Sequence, residues 1–297
     1  MRYNQRQFVE RQNLFGIYPQ DCLDEKEWSF SDMRQLMLKE KIDNGHLILK
    51  DVQGVKIYRG ITTGYNPAFI ISNELRERLI AEDPKNDRVV KNMLQGRNIR
   101  KWYYNESEEN LLQTGYDIDI EHDYPSIFHH LLQFENELKD RADQGIKWYN
   151  LRACKYYNEF EKSEKIIWGL TADKWAYTLD SEQHYLPSNA YILTSETIPI
   201  KYILGLLNSR LMNYYFGFIG VMTAGGAYTL KAATIEALPI AIGTEEQQKE
   251  IINIVDDILN AKAKDKLIDV SILEREIDSL VYNLYGLSED EVKIVEG

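Results

Sequence analysis

Residues 60–71 read Gly-Ile-Thr-Thr-Gly-Tyr-Asn-Pro-Ala-Phe-Ile-Ile, a polar glycine turn set directly before an apolar run. Gly60 and Gly64 bracket two threonines, and Asn66 precedes Pro67 before the chain closes into Ala68, Phe69, Ile70 and Ile71. Glycine, asparagine and proline in this order mark a turn, and the apolar residues behind it predict a buried strand. Polar groups at the mouth of a rigid strand are a usual mounting for a binding loop, because the strand fixes what the turn presents. The segment predicts recognition in place of chemistry. Two readings stay open for Thr62, Thr63 and Asn66: contact with a ligand, or a tight turn that only sets the register of the strand behind it.

Working outward, residues 31–43 predict a short helix stopped by Asn44-Gly45, and residues 47–58 read as extended segments. Asn73 is placed to cap a helix over 74–81, and a second short helix is expected over 86–94, before Gly96. Enrichment in β-branched and aromatic residues predicts strands at 99–104, 165–170, 175–179 and 191–194. Pro125 suits the first turn of a helix whose apolar stripe is Ile127, Phe128, Leu131, Leu132 and Leu138, and Pro199 opens another over 200–216. After Gly243, Thr244 with Gln247 and Ser271 with Glu274 have capping-box spacing. Apolar stripes follow at Ile251, Val255, Ile258 and Leu259, and at Leu273, Ile277, Leu280, Val281 and Leu284. The expected fold class is α+β: a lead-in segment and short helix over 1–45, a mixed α/β domain over 46–242, and a C-terminal helical hairpin over 243–297.

With 297 residues and 44% hydrophobic content the chain can bury a full core. Its two cysteines, Cys22 and Cys154, make no metal spacing and fit a reducing cytoplasm better than a disulfide-held exported protein. The N-terminal stretch lacks an apolar signal core, and no apolar run approaches the roughly 20 residues that span a bilayer, so no membrane partner is expected. The net charge of -12 divides unevenly: residues 1–104 carry 18 Lys and Arg against 14 Asp and Glu, whereas residues 105–297 carry 17 against 33. Between Lys85 and Lys101 six basic residues meet only Asp87. Phosphate attraction depends on the local field within about 10 Å at ordinary salt, so an acidic total does not exclude a basic face.

The 60–71 segment resembles the signature that opens the C-terminal specificity domain of TaqI-like adenine DNA methyltransferases and of the fused type IIG restriction-modification enzymes. Further landmarks stand in the family's order: LDEKEWSF at 23–30, VVKNMLQGRNIRKW at 89–102, YPSIFHHL at 124–131, WYNLR at 148–152, KIIW at 165–168 and YILGLLNS at 202–209. Leu238-Pro239-Ile240, Glu246-Gln247 and LEREIDSLVYNLYGL at 273–287 complete the series, which covers nearly the whole chain. The resemblance implies a DNA target-recognition domain over 46–242, lying C-terminal to an adenine-specific methyltransferase of a type II restriction-modification protein. Its implied partners are double-stranded DNA and that methyltransferase domain or subunit. S-adenosylmethionine is expected in the parent enzyme, with magnesium if a nuclease is fused, and no cofactor in this chain.

The residues themselves nominate the contacts. Thr63 suits a phosphate or a thymine methyl, and Asn66 a bidentate contact with adenine. Arg97, Arg100 and Lys101 follow Gly96, but a strand places Arg97 and Lys101 on one face and Arg100 on the other, so they cannot all enter one groove. WYNLRACKYY at 148–157 interleaves aromatics with Arg152 and Lys155, a pattern shared by base-stacking surfaces and by ordinary cores. Lys165, Thr171 and Lys174 surround a turn at Gly169, as in an antiparallel ribbon that enters a major groove. Lys231 follows the small-residue loop 223–228.

Asp117, Asp119, Glu121, His122, Asp123, His129 and His130 have no established ligand spacing and read as a solvated acidic face, with a carboxylate hydrolase site as the rival. Glu291-Val292-Lys293 resembles the end of a nuclease triad, a tripeptide expected by accident in a chain this rich in Glu and Lys. The sequence contains no Asp/Asn-Pro-Pro-Tyr/Phe element for adenine methyl transfer, no glycine-rich strand-to-helix turn for S-adenosylmethionine, and no phosphate loop. Catalysis is therefore expected outside this chain, which begins about where the methyltransferase domain of a full-length relative would end. The alternative is an acidic protein-interaction or DNA-mimicking module, marked by a continuous acidic face.

Overall fold

The computed structural model describes residues 33–142, 144–152 and 154–297. The 23–30 landmark and Cys22 lie outside the described residues. At the centre is a four-stranded antiparallel sheet in the order Thr178–Asp180, Lys165–Gly169, Ala190–Ser195 and Val55–Arg59. Successive side chains of a strand point to opposite faces. Ile166, Trp168, Tyr191 and Leu193 accordingly enter one core, and Ile167, Ala190 and Ile192 enter a second. Because both faces are covered, the two central strands carry the apolar runs Ile166-Ile167-Trp168 and Ala190-Tyr191-Ile192-Leu193 and not an alternation.

The first core is mainly helical. Met33–Asp43, Ile200–Asn208, Arg210–Ile219, Glu245–Lys264 and Ser271–Leu284 all contribute to it, so residues on both sides of 243 share one cluster. Gly205 permits a close approach of Ile200–Asn208 to Glu245–Lys264, since a Cβ there would lie 2.6 Å from Ile251. The second core joins Ala68 and Phe69 to a three-stranded antiparallel sheet, ordered Ile70–Ser72, Glu109–Leu112 and Val90–Met93. Pro125–Leu132 and Glu135–Asp140 pack over it with Ile127, Leu131 and Leu138 buried. The α+β class stands.

Several local expectations change. Residues 86–94 are not a helix: Pro84–Arg88 is a 3-10 turn and Val90–Met93 is a strand. Val90 and Met93 are buried against Leu112 and Glu109, a partner distant in sequence that decides the matter in favour of the ladder. The helix expected over 200–216 breaks at Ser209. There the Asn208 side chain is drawn to the backbone of Tyr177, donating to its carbonyl at 3.0 Å and accepting from its N–H at 3.1 Å. Ser209 turns extended and caps the next helix. Ser72, and not Asn73, caps Asn73–Glu82 by accepting from the Leu75 N–H. Asn66–Phe69 forms one helical turn, started by Pro67, before the strand Ile70–Ser72.

At the C-terminus the Thr244–Gln247 capping box forms with both of its bonds. The Ser271–Glu274 box does not form. Asp269 takes the Ser271 N–H at 2.9 Å, while Glu274 reaches away from its helix to the Trp102 indole at 2.6 Å. The hairpin is followed by a third helix, Glu289–Glu296, capped by Ser288 and Glu291.

Candidate nucleic-acid interface

The two signature glycines are required for different reasons. Gly64 has φ +72°, the left-handed region that favours glycine. Gly60 is fixed by crowding: a Cβ would sit 2.0 Å from the Pro187 carbonyl oxygen. The crowding arises because the Gly60 N–H donates to the Ala190 carbonyl (2.9 Å) and the Ile61 N–H to that of Leu186 (2.7 Å).

Behind this turn Arg141 acts as a clamp. Its guanidinium donates to the carbonyls of Thr63 (2.5 Å), Trp148 (2.8 Å), Asn150 and Leu138, and lies 4.7 Å from the centre of the Phe69 ring. Thr63 is only 3% exposed, and its hydroxyl donates to the Asn66 Oδ1 at 2.5 Å. Thr63 therefore orients Asn66 and does not itself reach a ligand in this arrangement. Asn66 is exposed.

A groove of about 280 Å³ opens beside the turn, lined by Arg59 to Thr62 on one wall and by Arg152, Cys154 and Tyr156 on the other. Arg152 and Lys155 are exposed, whereas Tyr149 is buried and packs edge-on against Phe128 and Trp148. Tyr156 lies against the Tyr58 ring and donates to the Arg59 carbonyl at 3.1 Å. Of the aromatic stretch 148–157, the aromatics largely serve packing and the basic pair faces outward. Burial pushes the Cys154 thiol above its ordinary range, which disfavours the thiolate needed for nucleophilic chemistry.

Residues 96–104 form the opposite flank. A two-residue turn at Lys101 and Trp102 joins the strands Ile99–Arg100 and Tyr103–Tyr104, so the stretch is a tight hairpin and not one strand. Trp102 adopts φ 72°, a region that costs a side-chain-bearing residue about 1–2 kcal/mol. It is held there by its N–H on the Tyr177 carbonyl (3.0 Å) and by Glu274 on its indole. Arg97, 72% exposed, pairs with Glu109 at 2.7 Å. The exposed Arg100 donates to the carbonyls of Arg97 and Ile99. Lys101 pairs with Glu274 at 2.7 Å, so the C-terminal helices engage one of the three cations.

The ribbon around Gly169 is built differently from expectation. Thr171–Ala172 pairs with Tyr228–Thr229, which pairs with Val221–Met222, a three-stranded unit from distant segments. Lys165 is wholly buried and pairs with Asp180 at 2.6 Å, which removes it from any surface. Burial raises the Asp180 carboxyl, but the hydrogen bond from His184 and the Lys165 charge outweigh it and hold the group below the ordinary carboxylate range. Lys174 and Lys231 are exposed beside the ribbon, whose tip at 223–227 closes through the Thr223 hydroxyl and Gly226 at φ +80°.

What joins the flanks is the loop Leu186-Pro187-Ser188-Asn189-Ala190. Its carbonyls accept in succession from Ile61 N–H, Ala190 N–H, Arg59 Nε, Leu170 N–H and Gly60 N–H, at 2.6–3.0 Å. Gly96 packs on the Asn189 carbonyl and on the Gly169 backbone, so the 96–98 turn meets the same loop. Arg59, which shares its groove with Arg152, and the turn that carries Arg97 thus both meet 186–190. The Pro-Ser-Asn cluster was a turn signal that could have flagged the loop; Arg141 carried no local signal at all.

The acidic segment at 117–123 is occupied structurally. Asp119 caps Ile120–Asp123, Asp119 and Glu121 lie near Lys147, and His130 is buried on the Ala68 carbonyl. Among the described residues no group of three or more His, Cys, Asp or Glu could hold a metal ion. Glu291 caps its helix and pairs with Lys41 at 2.6 Å. No helix among the described residues is long and apolar enough to cross a membrane.

Residues 91–240 match the family model of the TaqI-like C-terminal specificity domain, which takes in the 96–104 hairpin, the ribbon and the 186–190 loop. The chain belongs to that family. Among solved structures it is similar to the type IIL restriction-modification enzyme MmeI in complex with DNA, at 13% identity and a TM-score of 0.60 over 80% of this chain. It is also similar to the type IIG restriction endonuclease BpuSI, at 14% identity and a TM-score of 0.48 over 85% of this chain. The chain spans about a third of those proteins, 34% of MmeI and 33% of BpuSI. No curated protein sequence matches it.

Proposed function

We propose that this chain is the sequence-recognition part of a type II restriction-modification enzyme and holds double-stranded DNA for an adenine-specific methyltransferase domain or subunit. The observation that carries the reading is the specificity-domain match over residues 91–240, which takes in the 96–104 hairpin, the ribbon and the 186–190 loop. Support comes from the chemistry of that convergence: exposed Arg97, Arg100, Arg152, Lys155, Lys174 and Lys231 are suited to phosphate oxygens, and Asn66 to a base edge. Clamping the duplex lets the catalytic partner flip its target adenine, a step that requires the neighbouring pairs to be held. S-adenosylmethionine, and magnesium where a nuclease is fused, belong to that partner, and no residue of this chain is assigned to them.

The test is selection from a random duplex pool across a salt series, with sequencing of what is retained. A short enriched motif, with affinity falling steeply as salt rises, is the expected result. Arg97→Glu with Arg100→Glu should weaken binding to all sequences alike, and Asn66→Ala should relax base preference. Binding of the intact enzyme that ignores all three changes would overturn the mapping. Capture of a basic protein in place of DNA would favour the acidic interaction module.

A further inference from the structure

Most polar groups near the candidate interface already have partners. Asn66 has its acceptor engaged by Thr63, Arg97 is paired with Glu109, and Lys101 with Glu274. The 186–190 loop is the exception in one respect only. Its five carbonyls are all taken by hydrogen bonds, from Arg59, Gly60, Ile61, Leu170 and Ala190, and Leu186, Pro187 and Ala190 are buried, so the backbone is fixed. Asn189 is the one residue of the loop that is exposed. Its side chain is exposed, and neither its amide oxygen nor its amide nitrogen has a partner among the described residues.

An unpaired carboxamide on an immobilised backbone presents one acceptor and one donor edge at a set position. That pair matches N6 and N7 of adenine in the major groove, where asparagine binds bidentately. Rigidity matters because little backbone freedom remains to be lost on binding. Arg59 donates to the Ser188 carbonyl and shares a groove with Arg152, and Gly96, next to Arg97, packs on the Asn189 carbonyl, so cations suited to phosphate contacts border the loop. Resting on the DNA-recognition reading above, we infer that Asn189 is a specificity-determining residue that reads the adenine of one A·T pair.

The experiment uses the full protein and a random duplex pool at fixed salt, comparing wild type with Asn189→Ala and Asn189→Asp. Wild type should enrich a motif. Asn189→Ala should enrich the same motif with a single A·T position relaxed, losing about tenfold to a hundredfold discrimination there and none elsewhere. Asn189→Asp removes the donor and leaves two acceptors, so it should move that position from adenine towards cytosine, whose N4 donates. Full discrimination retained by both variants would overturn the inference and leave the recognition reading standing. Loss spread evenly over every position in both variants would also overturn it, because that is the mark of a scaffold residue. Absence of any motif with wild type would overturn the recognition reading itself.

Discussion

The two flanks of the 186–190 loop are held by different physics. On the signature side the contacts are buried and run through the backbone: Gly60 and Ile61 donate to Ala190 and Leu186, and Arg141 gathers four carbonyls. On the 96–104 side the contacts run largely through charged side chains at the surface, Arg97 to Glu109 and Lys101 to Glu274, with the Trp102 indole and the Trp102 N–H on the Tyr177 carbonyl as the buried exceptions. Buried hydrogen bonds are costly to leave unmade, whereas exposed ion pairs contribute up to about 1 kcal/mol and are screened by salt. One flank is thus a fixed wall and the other an adjustable one coupled to the C-terminal helices.

Arg141→Met removes the clamp from the fixed wall. It should leave several buried carbonyls unsatisfied and cost on the order of 4 kcal/mol in urea unfolding. A loss below about 1 kcal/mol would show that water replaces the guanidinium and that the wall is not built as described. Next in size is Gly60→Ala, expected to cost about 3 kcal/mol because the intruding methyl meets backbone and not a flexible side chain. Its control is Gly225→Ala at the ribbon tip, where the nearest atom is the Thr223 hydroxyl at 3.9 Å and the change should stay within about 0.5 kcal/mol.

Acidification sharpens the same contrast. Burial holds the His130 imidazole below its ordinary range, and the ring lies on the Ala68 carbonyl behind the signature turn. With the folded value depressed, the unfolded chain binds the proton first, so this stability is present above about pH 6.5 and is lost as pH falls through and below that value. Unfolding midpoints at pH 7.5 and 5.5 should differ in the wild type, and less so in His130→Gln. The Asp180 carboxyl responds later, as pH falls below the ordinary carboxylate range towards its depressed folded value, so the two groups separate along the pH axis.

The smallest expected effect is on the adjustable flank. Glu274→Gln keeps an acceptor for the Trp102 indole but removes the charge opposite Lys101, and should cost about 0.5 kcal/mol at low salt and less as salt rises. A cost of several kcal/mol would make this flank as rigid as the other.

Where the deciding interaction was local, the sequence was legible. The Thr244 and Gln247 capping box formed because its partners are three residues apart, and Gly45 stopped its helix in the left-handed region at φ +84°. Where the partner was distant, local signals misled. Ser271 and Glu274 have the same spacing as Thr244 and Gln247, yet Glu274 is taken by Trp102, 172 residues away in the chain. Residues 90–93 carried a helical reading until Glu109–Leu112 gave them a ladder to join.

For the interface the division is the same. From the sequence alone came the α+β class, the signature turn, the local basic excess before residue 105 and the resemblance that the family match upholds. Tertiary structure decided which of those cations are engaged and which outward-facing. It buried Thr63 and Lys165, and it made the inconspicuous 186–190 loop the place where the flanks meet. The reason is physical: residue type and spacing fix what a side chain is able to bond, but the competition among partners is settled only when segments far apart in the chain are packed together.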